Sequence, residues 1–310
     1  MTKNMKYIFG PVLSRRLGFS LGVDLVPFKT CSLDCIYCQL GKTTHRTIER
    51  QAYISSGNII LEVRKILKQN QKIDYTTLSG SGEPTLNLHL GEIVTSIKEI
   101  TDIPVAVLTN GTLLYLESVR DELMAADLVV PSLDAVSQEL FCKINRPHPK
   151  LDVSQMISGL RSFSQVFSGK LWLEIMLVKR LNDLPEEVEK IKEVVSSVKC
   201  DKIQLNTTVR LPADREIEPL TNEELSKLKK LLGEKCEIIA GFEGQQNAVK
   251  TDIQERIISI VSRRPLNLSE ISDFLGIPEE RTTKHLFFLT KQGKIESLTY
   301  GSESYFQLKR

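Results

Sequence analysis

Three cysteines lie within eight residues of one another, and they constrain the chain more than any other feature. Cys31, Cys35 and Cys38 stand in the segment KTCSLDCIYCQLG with the spacing CxxxCxxC. Thiolates this close along the chain can surround one metal centre, because soft and borderline metals prefer sulfur ligands. The other three cysteines are isolated along the chain, and we expect them to be small buried residues.

The spacing alone leaves three chemistries open. The pair Cys35 and Cys38 forms a CxxC sequence, which beside a βαβ pattern also indicates a thiol redox enzyme. A structural zinc ion would need a fourth ligand, for which His45 or a distant cysteine is available. Three thiolates on a four-iron cluster would instead leave one iron open to a small molecule.

The composition of the chain is that of an ordinary globular protein. Of its 310 residues, 41% are hydrophobic and 26% are charged, and 41 basic residues nearly cancel 39 acidic ones. This balance gives no indication of a nucleic-acid or membrane partner. The N-terminus lacks the apolar segment of a signal peptide, and no run approaches the roughly 18 apolar residues of a membrane span. We therefore expect a cytoplasmic protein with no membrane segment.

Strand-like and helix-like segments alternate between residues 22 and 240. This alternation predicts an α/β fold of six βα units around a parallel sheet. The predicted strands are 22–26, 75–79, 105–109, 128–133, 171–178 and 203–209. The predicted helices are 58–68, 91–99, 114–126, 153–167, 185–198 and 222–232.

The last two predicted strands carry a polar face. Gln204 and Asn206 share one face because successive side chains of a strand point to opposite sides, and Glu174 lies opposite Leu173 in the same way. A parallel sheet is normally covered on both faces, so we expect these polar side chains to line a barrel interior. Arg15, Arg16, Arg146 and Arg210 are candidates for binding a phosphate or carboxylate.

Further short motifs follow the predicted strands in order. SGSGEPTL follows the second strand, TNG the third and SLDA the fourth, while QLN lies in the sixth. Together with CxxxCxxC and its aromatic Tyr37, this set resembles the radical S-adenosylmethionine (SAM) superfamily. The segment from Phe9 to Thr43 resembles the iron-sulfur oxidoreductases grouped with wyosine-type tRNA synthetases. No cysteine precedes Cys31, whereas wyosine synthases of that lineage carry a second cluster on upstream cysteines.

The resemblance implies a partial (β/α)6 TIM-like barrel with a [4Fe-4S] cluster on Cys31, Cys35 and Cys38. It implies that SAM is cleaved reductively and that the resulting 5'-deoxyadenosyl radical abstracts hydrogen from a substrate. A tRNA nucleoside, a peptide and a small metabolite all fit as that substrate, and flavodoxin or ferredoxin fits as the electron donor. The residues that the resemblance assigns to cofactor binding are Tyr37, Gly82, Glu83, Pro84, Asn110, Ser132, Asp134 and Asn206.

A different pattern begins after residue 243. Three amphipathic helices and a hairpin predict a winged helix-turn-helix domain over residues 244–310, following a core domain of residues 1–243. Nine basic and eight acidic residues fall between 251 and 310, a balance that does not favour DNA. We expect a module for substrate docking, peptide docking or oligomerisation, with RNA binding and a zinc-binding winged-helix regulator as alternatives.

Overall fold

A computed structural model describes residues 6–69, 71–239, 253–262, 264–301 and 303–309. The strands are β1 (Ile8–Ser14), β2 (Gly18–Val23), β3 (Thr30–Cys31), β4 (His45–Arg46), β5 (Tyr75–Leu78), β6 (Val105–Thr109), β7 (Leu128–Pro131), β8 (Lys170–Leu177), β9 (Lys202–Thr207), β10 (Cys236–Ile238), β11 (Leu266–Asn267), β12 (Ile295–Tyr300) and β13 (Glu303–Leu308). The α-helices are α1 (Ser56–Leu67), α2 (Leu90–Lys98), α3 (Glu117–Leu123), α4 (Gln138–Leu140), α5 (Val153–Val166), α6 (Pro185–Ser196), α7 (Asn222–Leu232), α8 (Ile253–Val261), α9 (Leu268–Leu275) and α10 (Glu279–Lys291). None of these helices has both the length and the hydropathy to cross a bilayer.

The main sheet has the strand order β1-β2-β5-β6-β7-β8-β9-β10. β1 is antiparallel to β2, and every later neighbour is parallel. In the described part of the chain, β1 and β10 are the two edges of this sheet, which makes it an open barrel. The predicted α/β class and partial barrel are therefore confirmed. The sequence prediction missed both edge strands.

The first predicted strand was displaced. It was expected at residues 22–26, but β2 ends at Val23, and the buried side chains of Leu25 and Val26 belong to the loop that follows. The predicted strand began at Gly22, yet this residue lies inside β2. A Cβ atom there would come within 2.0 Å of the Phe9 ring, so glycine leaves room for the β1 aromatic to pack against this point of the strand.

Alternation along β8 separates the two sides of the barrel. Leu171, Leu173 and Ile175 pack into the main core together with the buried faces of the helices. Trp172 points the other way and joins a smaller apolar cluster inside the barrel with Leu17, Ala106, Leu128 and Val130. Beyond this apolar cluster, the side chains on the inner faces of β8 and β9 are polar, as the sequence pattern predicted.

The C-terminal unit has its own core, formed by α8, α9, α10 and the antiparallel sheet β11-β13-β12. The α9 helix begins with a capping box between Asn267 and Glu270 and ends at Gly276, which has a φ of 66°. The order of helices and hairpin agrees with the predicted elements. The winged-helix assignment stays a prediction, and the proposed boundary at residues 243 and 244 lies outside the described residues.

Candidate functional site

A cavity of about 460 Å³ opens at the centre of the barrel. Its wall combines the β1–β2 hairpin, the cysteine loop, the loop after β5, the inner faces of β8 and β9, and side chains of α8 and α9. The predicted residues that line it are Tyr37, Gly82, Asn206 and the three cysteines. The predicted residues outside its lining are Glu83, Pro84, Asn110, Ser132 and Asp134.

Each cysteine of the CxxxCxxC segment is within hydrogen-bond distance of a nitrogen donor from elsewhere in the fold. Asn110 Nδ2 lies 3.5 Å from the sulfur of Cys31, and Asn145 Nδ2 lies 3.4 Å from that of Cys35. Lys29 Nζ lies 3.5 Å from the sulfur of Cys38. N–H donors favour the thiolate form of a cysteine, which is the form that binds metals.

Burial opposes ionisation of the same thiols. It raises the pKa of Cys31 to about 12, with the nearby Glu83 charge adding to the effect. Burial and the neighbouring Cys31 raise the pKa of Cys35 well above its ordinary value. A metal centre that binds these sulfurs therefore displaces the protons of the thiols. The metal then balances the negative charge of the thiolates, which is unfavourable in a buried position without it.

The donor set fits a cluster better than a single zinc ion. His45, the fourth zinc ligand that the sequence offered, is exposed, and Cys142, Cys200 and Cys236 lie outside the cavity. Within the described ranges, no three His, Cys, Asp or Glu side chains converge as ligands of one ion. Each cysteine of a [4Fe-4S] cluster binds a different iron, so three cysteines that line one cavity, with no fourth ligand among the described residues, suit that group.

The loop after β5 approaches the cysteine loop without intervening side chains. A Cβ atom on Gly82 would stand 1.8 Å from the carbonyl oxygen of Thr30, so only glycine fits. Glu83 is buried and accepts hydrogen bonds from Thr85, from the Thr109 hydroxyl at 2.6 Å and from the Asn110 backbone at 2.7 Å. It therefore fixes the backbone between two strand ends and leaves Gly82 facing the cavity. Pro84 begins the 3₁₀ helix Pro84–Leu86.

Asp134 connects the cysteine loop to the barrel. Its carboxylate accepts hydrogen bonds from the Tyr37 hydroxyl, from Asn145 Nδ2 at 2.8 Å and from the Met176 backbone at 2.9 Å. Since Asn145 also reaches Cys35, Asp134 positions residues around that cysteine. Ser132, two residues earlier, forms an isolated parallel bridge with Glu174.

Asp134 predicts a pH dependence of stability. Burial raises its pKa from 3.8 to about 6, so the folded protein holds this proton more tightly than the unfolded chain. The resulting stability is present below pH ~4 and is lost as the pH rises through about 6, which amounts to roughly 3 kcal/mol. We expect wild-type apoprotein to lose about this much relative to Asp134→Asn between about pH 4 and pH 7, measured by urea unfolding. Parallel pH profiles would contradict this.

An ion pair forms part of the cavity wall. Arg16 donates two hydrogen bonds of 2.8 Å to Glu174, and Asn206 Nδ2 donates a third at 2.9 Å. Burial alone would raise the pKa of Glu174, but the charge and hydrogen bonds of Arg16 lower it below its ordinary value. Arg15 donates to Asn206 Oδ1 at 3.3 Å. Of the predicted anion binders, Arg16 is thus already neutralised.

Two of the sulfur-contacting residues, Lys29 and Asn145, were not predicted from the sequence. Lys29 is buried, and its side chain also donates to the carbonyl of Gly41. Its position two residues before Cys31 was the sequence feature that indicated a place near the sulfurs. Asn145 is 110 residues from Cys35 in the chain, and it follows no predicted strand end. Its role depends on the tertiary fold.

Comparisons with known proteins agree with this geometry. A family model described as the Radical SAM superfamily matches residues 25–195. UPF0026 protein MJ1312 of Methanocaldococcus jannaschii is 32% identical over 309 residues, which cover 97% of this chain and 96% of that protein. GTPase Obg of Brachyspira hyodysenteriae is 40% identical over 305 residues, but the chain spans only 45% of that protein's length. The solved structure of TYW1 with a lysine-pyruvate adduct bound has 18% sequence identity and a TM-score of 0.50, covering 72% of this chain and 75% of that one; this similarity concerns the fold.

Proposed function

Because the chain belongs to the radical SAM superfamily, we propose that it generates a 5'-deoxyadenosyl radical to abstract hydrogen from a substrate bound in the barrel cavity. Members of this superfamily are enzymes that use a [4Fe-4S] cluster and SAM, so the predicted enzyme class and both cofactors are confirmed. Cluster and SAM together supply one-electron cleavage of SAM to methionine and the radical. The protein itself binds and positions the cofactors and the substrate, and it shields the radical.

The observation that carries the proposal is the convergence of Cys31, Cys35 and Cys38 on one cavity with Gly82. The three cysteines would hold the cluster. The backbone at Gly82 would let SAM approach closely, since no side chain stands there. Tyr37 and Asn206 line the same cavity and would contact SAM or substrate, whereas Glu83, Asn110 and Asp134 would act by holding the surrounding loops.

The C-terminal unit would close the cavity and dock the substrate. Arg210, just after β9, forms a partly buried ion pair with Glu270 of α9. Arg264 donates to Gln39 Oε1 at 2.5 Å, beside the cysteine loop. Phe274 adds an apolar surface to the cavity wall. A winged-helix domain beginning at residue 244 would in this way help to select the substrate, which could be a tRNA nucleoside, a peptide or a small metabolite.

The electron for SAM cleavage would come from a flavodoxin or ferredoxin in the cytoplasm. The cluster site lies in a cavity and not on the surface, so the donor would have to approach the cysteine loop closely. Residues 39–42 of this loop continue from Cys38 toward the surface, and Lys42 is exposed there. An acidic donor would be attracted by such a positive charge.

Anaerobic reconstitution with iron and sulfide tests the proposed function directly. We expect the wild-type protein to bind four irons and four sulfides, as the proposed cluster requires, and to convert SAM into 5'-deoxyadenosine under a strong reductant. Iron and sulfide content and product formation are measured on the same sample. Zinc without sulfide would favour the regulator hypothesis, and activity that persists without iron would favour the thiol redox enzyme.

A further inference from the structure

Among the residues that the structure describes, the cavity lining carries more positively charged side chains than carboxylates. Apart from Lys29 at the cysteine loop, the charged side chains that line it are Arg15, Arg16, Arg210, Arg264, Glu174 and Glu270. Arg16 is paired with Glu174, and Arg210 is paired with Glu270. Arg264 is bound to Gln39, which also accepts a hydrogen bond from Arg210 at 3.2 Å. These contacts tie three of the four guanidinium groups to fixed partners.

Arg15 has a different environment. Its hydrogen-bond partner is the side-chain oxygen of Asn206, and no carboxylate of the described residues lies within ion-pair distance of it. Burial, together with the like charges of Arg210 and Arg16, lowers its pKa to about 10. A guanidinium has five N–H donors, and this contact uses one of them. An anion beside Arg15 would relieve the repulsion and satisfy the remaining donors.

We propose that Arg15 binds an anionic oxygen group, a carboxylate or a phosphate, carried by the substrate. A guanidinium presents parallel N–H groups that match such oxygens in a bidentate manner. Asn206 orients Arg15: its Nδ2 is bound to Glu174, and its Oδ1 accepts from the Thr207 backbone at 3.0 Å as well as from Arg15. This fixed amide holds the guanidinium at the cavity wall without neutralising it.

Arg15 reaches the cavity beside Asn206, at a different part of the sheet from Gly82. Gly82 follows β5, whereas Asn206 lies on β9, four strands further along the sheet. The cavity wall also includes the apolar side chains of Leu13 in β1 and of Ile260 and Phe274 in the C-terminal unit. The site therefore suits an organic anion whose remaining part is apolar. This inference rests on the proposed function, because it takes the cavity to be a substrate site.

Equilibrium dialysis of the reconstituted holoprotein tests the site with two labelled probes, inorganic phosphate and succinate. Each is measured with and without saturating SAM. We expect the wild type to bind at least one probe in the presence of SAM and Arg15→Gln to bind it about tenfold more weakly or worse. Arg15→Lys keeps the positive charge but lacks the parallel N–H groups of a guanidinium, so its affinity for the probe should lie between those of the wild type and Arg15→Gln. The matched control is Arg180→Gln, which removes an exposed guanidinium outside the cavity and should bind like the wild type.

Several outcomes would overturn the proposal. One is a wild type that binds neither probe, and another is an Arg15→Gln variant that binds as well as the wild type. Loss of probe binding on addition of SAM would assign Arg15 to the SAM carboxylate instead. The proposed function is tested separately, by measuring SAM cleavage by the wild type. If Arg15→Gln does not fold, as judged by circular dichroism, a wild-type affinity in Arg15→Lys still decides against bidentate recognition.

Discussion

Replacing Cys35 with alanine is expected to abolish both cluster binding and SAM cleavage. Cys35 is the middle cysteine of the CxxxCxxC segment, a proposed ligand of the cluster, and it lines the same cavity as Gly82. Without it, two thiolates cannot hold a four-iron cluster in a single orientation, and the electron source for SAM cleavage is lost. Iron and sulfide content should fall to background after anaerobic reconstitution, and 5'-deoxyadenosine formation should fall by at least a thousandfold, on the order of 4 kcal/mol in the barrier.

Cys142→Ala provides the matched control for this experiment. It removes a thiol from the same chain, but Cys142 is exposed and lies in the helical segment Phe141–Asn145, outside the cavity lining. The control should keep its cluster and its activity. A Cys35→Ala protein that still cleaves SAM at the wild-type rate would refute the ligand assignment. A Cys35→Ala protein whose circular dichroism matches the wild type separates loss of the ligand from loss of the fold.

The parallel core of the fold was predictable because each strand is a short apolar run with turn residues at its ends. Leu171, Leu173 and Ile175 are buried on the helix side of β8, and this alternation was visible in the sequence. The edge strands were less accessible to prediction. β1 contains Gly10 and Pro11, which usually mark turns, and its pairing with β2 is interrupted between Phe9 and Val12.

The candidate site divides in the same way. The cysteines and Gly82 belong to local motifs, so their spacing identified them before the fold was known. The contacts that shape their surroundings join residues far apart in sequence: Arg16 and Glu174 are separated by 158 residues, and Asn145 and Cys35 by 110. No local sequence pattern predicts such a pair, because the two residues come into contact only in the folded protein. For the same reason, the sequence could not show that Arg16 is neutralised while Arg15 lacks a carboxylate partner among the described residues.

Lys29→Met is expected to lower the reduction potential of the cluster. Lys29 is 2% exposed, and its ammonium lies 3.5 Å from the sulfur of Cys38. Reduction adds a negative charge to the cluster, which a buried positive charge at this distance stabilises because solvent screens it little. Removing that charge should shift the potential in the negative direction by on the order of 60 mV, a tenfold change in the one-electron equilibrium. SAM cleavage by a reductant of fixed potential should slow accordingly.

Lys42→Met is the matched control, since it removes an exposed lysine from the same loop by the same substitution. Solvent and salt screen an exposed charge, so its effect on the potential should be much smaller. Redox titration followed by electron paramagnetic resonance measures both variants, and iron content confirms that each holds a full cluster. An unchanged potential in Lys29→Met would mean that the ammonium serves only to fix the loop through the carbonyl of Gly41. A large shift of the reduction potential in Lys29→Met, without one in Lys42→Met, would show that a residue of the cysteine loop that is not a ligand controls the potential of the cluster through its charge.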